Sequence, residues 1–258
     1  MGLFGKARRA FLLYVLVLVA GGTWITAGRT TSWERTLWVT IHPINGDGSA
    51  RSADYIASLE AADFQPIASF LREQAARYGI ALRDPFHVSL GAPVREQPPQ
   101  PPYDGNLLEI AAWSLRLRYW GWRVDKGAMP PPSDIDIYVR YFDPQQRSRL
   151  SHSLGLQKGL IGVVNAFAET TQAGSNNVII AHELLHTLGA TDKYDRVTNQ
   201  PRFPGGFAAP DSAPRFPQSR AELMGGRIPL SRTQSQIPAS LSEVVIGPET
   251  AREIRWIR

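Results

Sequence analysis

The stretch Ala181-His182-Glu183-Leu184-Leu185-His186-Thr187-Leu188-Gly189-Ala190-Thr191-Asp192-Lys193-Tyr194-Asp195 decides how the rest of the chain is read. Ile180, Leu184 and Leu188 recur at i, i+4 and i+8, with Ala181 and Leu185 beside them, which predicts one helix from Asn177 to Leu188 with an apolar face. Ser175, Asn176 or Asn177 can cap its start. Gly189 stands where a helix-ending residue of positive φ is expected. Positions four apart share a helix face, so His182 and His186 can each turn an imidazole toward a common ion, with Glu183 beside them. The turn after Gly189 can bring Asp192 back as a third ligand. Two imidazoles and one carboxylate leave a fourth position open for water, as a catalytic metal site requires.

The pattern H-E-x-x-H is the arrangement zinc peptidases use. One zinc ion on His182, His186 and Asp192 would polarise a scissile carbonyl and acidify its bound water. Glu183 would take the proton of that water and pass it to the leaving amine. Tyr194 either hydrogen-bonds the developing oxyanion or packs against the site. Asp195 binds backbone amides of the following turn or a structural cation. A different ligand set stays open, in which a downstream glutamate, Glu222 or Glu243, completes the site in place of Asp192. His42, His87 and His152 are lone histidines with no ligand spacing.

The run from His182 to Asp192, H-E-x-x-H-x-x-G-x-x-D, resembles that of the metzincin metallopeptidases. Most of these carry a third histidine where this chain has Asp192. The aspartate version looks like snapalysins, and the ending Asp192-Lys193-Tyr194-Asp195 is similar to the immune inhibitor A peptidases. The resemblance covers roughly residues 160 to 226. It implies an α+β domain with a twisted, mixed five-stranded sheet, the active-site helix, a methionine-containing turn and a closing C-terminal helix. Glu222-Leu223-Met224-Gly225-Gly226 fits the turn, with Met224 as an apolar floor beneath the histidines, and Pro248 to Ile257 fits the helix. The resemblance further implies that Arg149 to Leu156 is an antiparallel edge strand able to take up an extended substrate by β-augmentation.

With 258 residues and 43% hydrophobic content, the chain is ample for one domain. It has no cysteine, which excludes disulfides, thiolate zinc sites and a cysteine nucleophile. Lys6, Arg8 and Arg9 supply three of the five net positive charges. The mild remainder does not suggest nucleic acid. Residues 10–27 carry no charge, enough for about 27 Å of helix. They read as a transmembrane signal anchor within residues 1–30, basic end in the cytoplasm, with an extracytoplasmic zinc metallopeptidase domain over 31–258. Trp24 suits an interfacial anchor, and the rival is a signal peptide cleaved near Val19-Ala20-Gly21-Gly22, giving a secreted protein.

Alternating apolar residues predict strands at Thr36 to Ile44, Phe86 to Leu90, Ile135 to Tyr141 and Leu160 to Phe167. Helical spacing marks Phe64 to Tyr78, stopped by Gly79, and Leu107 to Trp120, whose Trp113, Tyr119 and Trp120 read as core. Pro93 to Asp104 and Gln200 to Pro217 are proline-rich loops, the second carrying Arg202 and Arg215, with Arg220 just beyond it. The expected function is a zinc-dependent endopeptidase acting on extracytoplasmic polypeptides. The alternatives are an inactive membrane-tethered binding protein on the same fold and a zinc amide hydrolase of cell-wall peptides.

Overall fold

The computed structural model describes residues 30–102, 106–125, 133–150, 153–156 and 160–257. Nine-residue strand β1 (Leu37–Asn45) leads into helices α1 (Ala50–Ser58) and α2 (Gln65–Arg77). Strand β2 (Phe86–Leu90) precedes helix α3 (Leu107–Asp125), and β3 (Ile135–Phe142), β4 (Leu154–Leu156) and β5 (Ile161–Phe167) precede helix α4 (Ala173–Thr187). The chain then winds through short strands β6 (Ala221–Glu222), β7 (Ile228–Pro229), β8 (Ser235–Gln236) and β9 (Val244–Val245) to helix α5 (Pro248–Glu253).

The main sheet runs β2-β1-β3-β5-β4. β1 is parallel to β2 and β3, β3 is parallel to β5, and only β4 is antiparallel, on the edge beside β5. This corrects the expected α+β class: the fold is α/β with a mostly parallel central sheet. The reason lies in the connections. Parallel neighbours need a long crossover, and α1–α2 and α3 supply it between β1, β2 and β3. Strands buried on both faces follow, so β3 reads Ile-Asp-Ile-Tyr-Val-Arg-Tyr-Phe with few exposed positions.

One sheet face, carrying Val39, Ile41, Ile137, Val139 and Val164, packs against α1, α2 and α4 in the larger core. The other face, with Ile44, Tyr138, Ile161 and Val163, meets Trp113, Leu117 and Trp120 of α3. Gly79, at φ +77°, ends α2 region as its sequence position predicts. Tyr119 departs from expectation: it stands 63% exposed rather than in the core. The proline-rich segment after Pro93 is not a free excursion, since Val94 bridges Ile44 and the Pro99 carbonyl accepts from the Trp113 indole at 2.9 Å.

The membrane expectation needs correction too. Among the described residues no helix is long and apolar enough to cross a membrane, so a single-pass anchor and the localisation inferred from it lack support. The stretch at residues 10–27 that prompted them lies outside the described residues, as does His152.

Ile137 is fully buried at the centre of β3 between two parallel neighbours. Ile137→Ala should cost about 2–5 kcal/mol of stability. Denaturant unfolding should show this as a lower midpoint at unchanged slope.

Candidate metal centre

Helix α4 starts four residues earlier than its apolar periodicity suggests. Ser175, Asn176 and Asn177 do not cap it. Instead they tie its first turn to three other segments: Ser175 Oγ donates to the Pro238 carbonyl at 3.0 Å, Asn176 Nδ2 to Phe167 at 2.9 Å and Asn177 Nδ2 to Asp63 at 2.8 Å. At the other end the helix closes in a Schellman turn. The Gly189 amide donates to His186 O at 3.1 Å and the Ala190 amide to Leu185 O at 3.0 Å, with Gly189 at φ +107°.

That turn aims His186. The Ala190 carbonyl it presents accepts from His186 Nδ1 at 2.8 Å. The Leu223 carbonyl accepts from His182 Nδ1 at 2.9 Å. Carbonyl oxygens only accept, so both Nδ1 atoms carry protons, and both Nε2 atoms point inward. The two Nε2 atoms lie 3.1 Å apart. Asp192 Oδ1 sits 2.9 Å from the Nε2 of His186 and 3.3 Å from that of His182. Three such atoms lie close enough to share one cation, and His182, His186 and Asp192 form a group that could hold a metal ion. Backbone carbonyls fixing each imidazole's tautomer are the usual second layer of such a site.

Electrostatics agree with a site built for charge. Burial works on the Asp192 carboxyl to raise it, but bonds from both histidines outweigh burial and hold it well below the usual carboxylate range. Burial opposes protonation of His182, yet Asp192, the Glu183 charge and the Leu223 carbonyl together raise it. Burial pushes the Glu183 carboxyl up against the pull of both imidazoles. Its Oε2 is buried with no hydrogen-bond partner. Burial, then the Asp192 and Glu183 charges, push the Tyr194 hydroxyl up to about 12, so it stays a donor. The Tyr194 ring lies 6.2 Å from that of His182.

Several residues that shape the centre carry no motif. Gly155 of β4 pairs with Gly162 of β5, and the two form a notch that seats α4. A Cβ on Gly155 would stand 2.4 Å from His186 Cβ, 2.6 Å from Glu183 O and 3.2 Å from Glu183 Oε2. Glu253 of α5 clamps the loop on both sides of Asp192. It accepts from the Thr191 amide at 3.0 Å, the Thr191 hydroxyl at 2.6 Å and buried Lys193 Nζ at 2.7 Å. A glycine in a short strand and a lone carboxylate near the C-terminus gave the only signals, and neither is specific.

The remaining predicted residues fall as follows. Met224 is fully buried, and it is the turn's backbone that touches the site: the Leu223 carbonyl holds His182 and the Met224 carbonyl accepts from Lys193 N at 2.8 Å. Glu222 is fully buried away from the histidines' nitrogens, where it accepts from Gly225 N, Gly247 N and Thr250 Oγ1 at 2.8, 3.1 and 2.7 Å. Glu243 accepts from Ala239 N at 2.8 Å. Neither belongs to the donor cluster. Asp195 binds the amides of Val197 and Thr198. His42 bonds Asp136 and stacks on Tyr138, and His87 packs at a tilt against Trp38. Arg215 lies over the Phe203 ring and Arg202 reaches toward Asp195, 3.9 Å away.

Compared with known proteins, the chain matches no protein-family model and no curated protein.

The clamp generates a pH signature. Partial burial opposes ionisation of Glu253, but bonds from Lys193 and Thr191 prevail and lower its pKa. A depressed carboxyl stabilises the fold above the unfolded value, roughly 4.3, and that stability fades as pH falls through the folded value. The stability gap between wild type and Glu253→Gln should therefore be full at pH 7 and close below about pH 4. Gly155→Val, by contrast, should lower divalent-metal affinity at every pH, because it displaces α4 itself; isothermal titration measures it.

Proposed function

We propose that the protein is a zinc-dependent peptidase whose ion is held by His182, His186 and Asp192. The observation that carries this reading is the meeting of three inward-facing donors with a partnerless buried carboxylate oxygen of Glu183. Ligand atoms about 2.0–2.1 Å from a tetrahedral zinc stand roughly 3.3 Å apart. The observed separations of 2.9 to 3.3 Å are close to that. Two imidazole nitrogens with one carboxylate oxygen is a donor set zinc takes readily, with a fourth position for water or substrate.

When bound, the ion supplies a Lewis acid that acidifies a water and polarises a carbonyl. The chain's residues do the rest. Glu183, next in sequence to His182 on α4, receives a proton from the attacking water and delivers it to the departing amine. Its raised affinity for a proton suits a group that must take one up and release it. Tyr194, kept protonated, donates toward the oxygen on which charge develops. Asp192 Oδ2 meets Arg196 at 3.2 Å, which spreads the carboxylate's charge outward from the site. The antiparallel edge β4 passes directly over the Glu183 turn of α4, and an extended peptide paired to that edge would run alongside the centre.

Glu183→Ala should retain one zinc per chain and lose nearly all hydrolysis of a casein or peptide-library substrate, since Glu183 is not a ligand. Full activity in that variant would refute the mechanism. Asp192→Ala should lower zinc affinity by on the order of 10- to 100-fold or more while leaving the fold intact. Glu222→Gln and Glu243→Gln should leave zinc content unchanged. Loss of zinc in either glutamate variant with normal binding in Asp192→Ala would reassign the third ligand.

A further inference from the structure

The proline-rich loop of residues 200–217 and the segment 229–232 border a cavity of about 300 Å³. That size is at the lower end for a small-ligand site. Phe203, Phe207 and Phe216 supply an apolar wall, with ring centroids 5.4 and 5.6 Å apart in sequence order. Arg215 and Arg232 line the cavity too, and no lining residue is acidic. The Arg215 guanidinium lies over the Phe203 ring at 3.8 Å. Contact through its face leaves the N–H donors in its plane free. Among the described residues neither arginine has a carboxylate partner. Asp211 of the same loop pairs with neither, and Asp195 holds the Val197 and Thr198 amides and faces Arg202. Ser231 Oγ accepts from the Thr233 and Gln234 amides at 3.3 and 3.1 Å, which leaves its own proton to donate.

Both sides of the cavity are fixed, and it adjoins the metal centre. Buried Gln218 accepts from Ala209 N at 2.8 Å and donates to the Ala209 and Arg215 carbonyls at 3.0 and 2.7 Å. Its amide donates to Pro229 O at 2.8 Å, so one residue ties the two segments together. Pro201, also in the lining, is the antiparallel partner of Tyr194. The flanking bonds run from Arg202 N to Lys193 O at 2.7 Å and from Asp195 N to Gln200 O at 2.8 Å. They make this a non-hydrogen-bonded pair, the kind whose side chains stand closest on one shared face. The Tyr194 ring on that face is 6.2 Å from the His182 ring.

Resting on the peptidase reading above, we propose that this cavity receives a glutamate side chain of the substrate close to the bond that is cut, which makes acidic polypeptides the substrate class. The methylenes of glutamate pack on the phenylalanine rings. Its carboxylate meets Arg215 and Arg232, with Ser231 as a further donor. A lysine there would face two like charges, and a glutamine would forgo the charge-assisted bonds.

The zinc-loaded full chain is given quenched fluorescent peptides in which each position is in turn Glu, Gln or Lys. At one position Glu should raise kcat/KM on the order of tenfold over Gln, with Lys poorer still. Arg232→Gln should bring the Glu-to-Gln ratio toward one, and Arg232→Glu should reverse the order of Glu and Lys. Cleavage with no preference for Glu at any position overturns the proposal and leaves the peptidase reading standing. So does a preference that survives Arg215→Gln and Arg232→Gln together. If no peptide is cut, fluorescence anisotropy of labelled Glu and Gln peptides on the same chain decides. Tighter binding of the Glu peptide that is lost in Arg232→Gln keeps the cavity as an acidic-peptide site and refutes the peptidase reading, and equal binding refutes both.

Discussion

The close approach of two imidazole nitrogens, 3.1 Å apart, to one carboxylate oxygen is the constraint the rest of the structure serves, and the segments around His182 and His186 impose it. Helical spacing places the rings one turn apart. It does not orient them. Orientation comes from two carbonyls on separate segments, Ala190 in the turn that ends α4 and Leu223 in the turn before Gly226. Asp192 is fixed in its turn by neighbours on both sides, through Glu253 of α5 and through the bond from Lys193 N to Met224 O. The C-terminal helix thus acts on the centre without touching it.

The same constraint explains what the sequence could and could not reveal. The spacing of His182, Glu183, His186, Gly189 and Asp192 is local, and local geometry is what helix periodicity and turn chemistry encode. Strands β2, β3 and β5 were legible for a similar reason, since alternation or a continuous apolar run identifies them within one to two residues. The start of α4 was not, because Ser175, Asn176 and Asn177 bond to Pro238, Phe167 and Asp63, partners no local rule supplies. Gly155 acquires its meaning only when β4 lies against β5 and α4 crosses both. The class went wrong where it was borrowed from a resemblance. The alternation of strands and helices up to β3 already favours parallel pairing, and that is what the sheet adopts.

Glu222 shows how a carboxylate near the centre can be read two ways. In sequence it is a spare acidic residue downstream of the histidines, open to reading as an alternative third ligand. In the fold it joins three donors from the turn at Gly225, the loop at Gly247 and the hydroxyl of Thr250. Burial still raises its pKa despite those donors, so its role is to gather backbone amides in a dry place. That gathering locks β6, the Met224 turn and α5 together, and the Leu223 carbonyl that aims His182 belongs to the locked unit.

An aspartate as third donor fits this arrangement. Asp192 is short, and its two oxygens divide their work: Oδ1 faces both imidazoles, while Oδ2 turns outward to Arg196. The Thr191 and Lys193 bonds to Glu253 hold the backbone on either side of Asp192. The negative charge also leaves any bound cation with less residual positive charge. Glu183 Oε2, dry and without a hydrogen-bond partner at the glycine notch, is held at a cost in stability that the buried apolar face of α4 offsets.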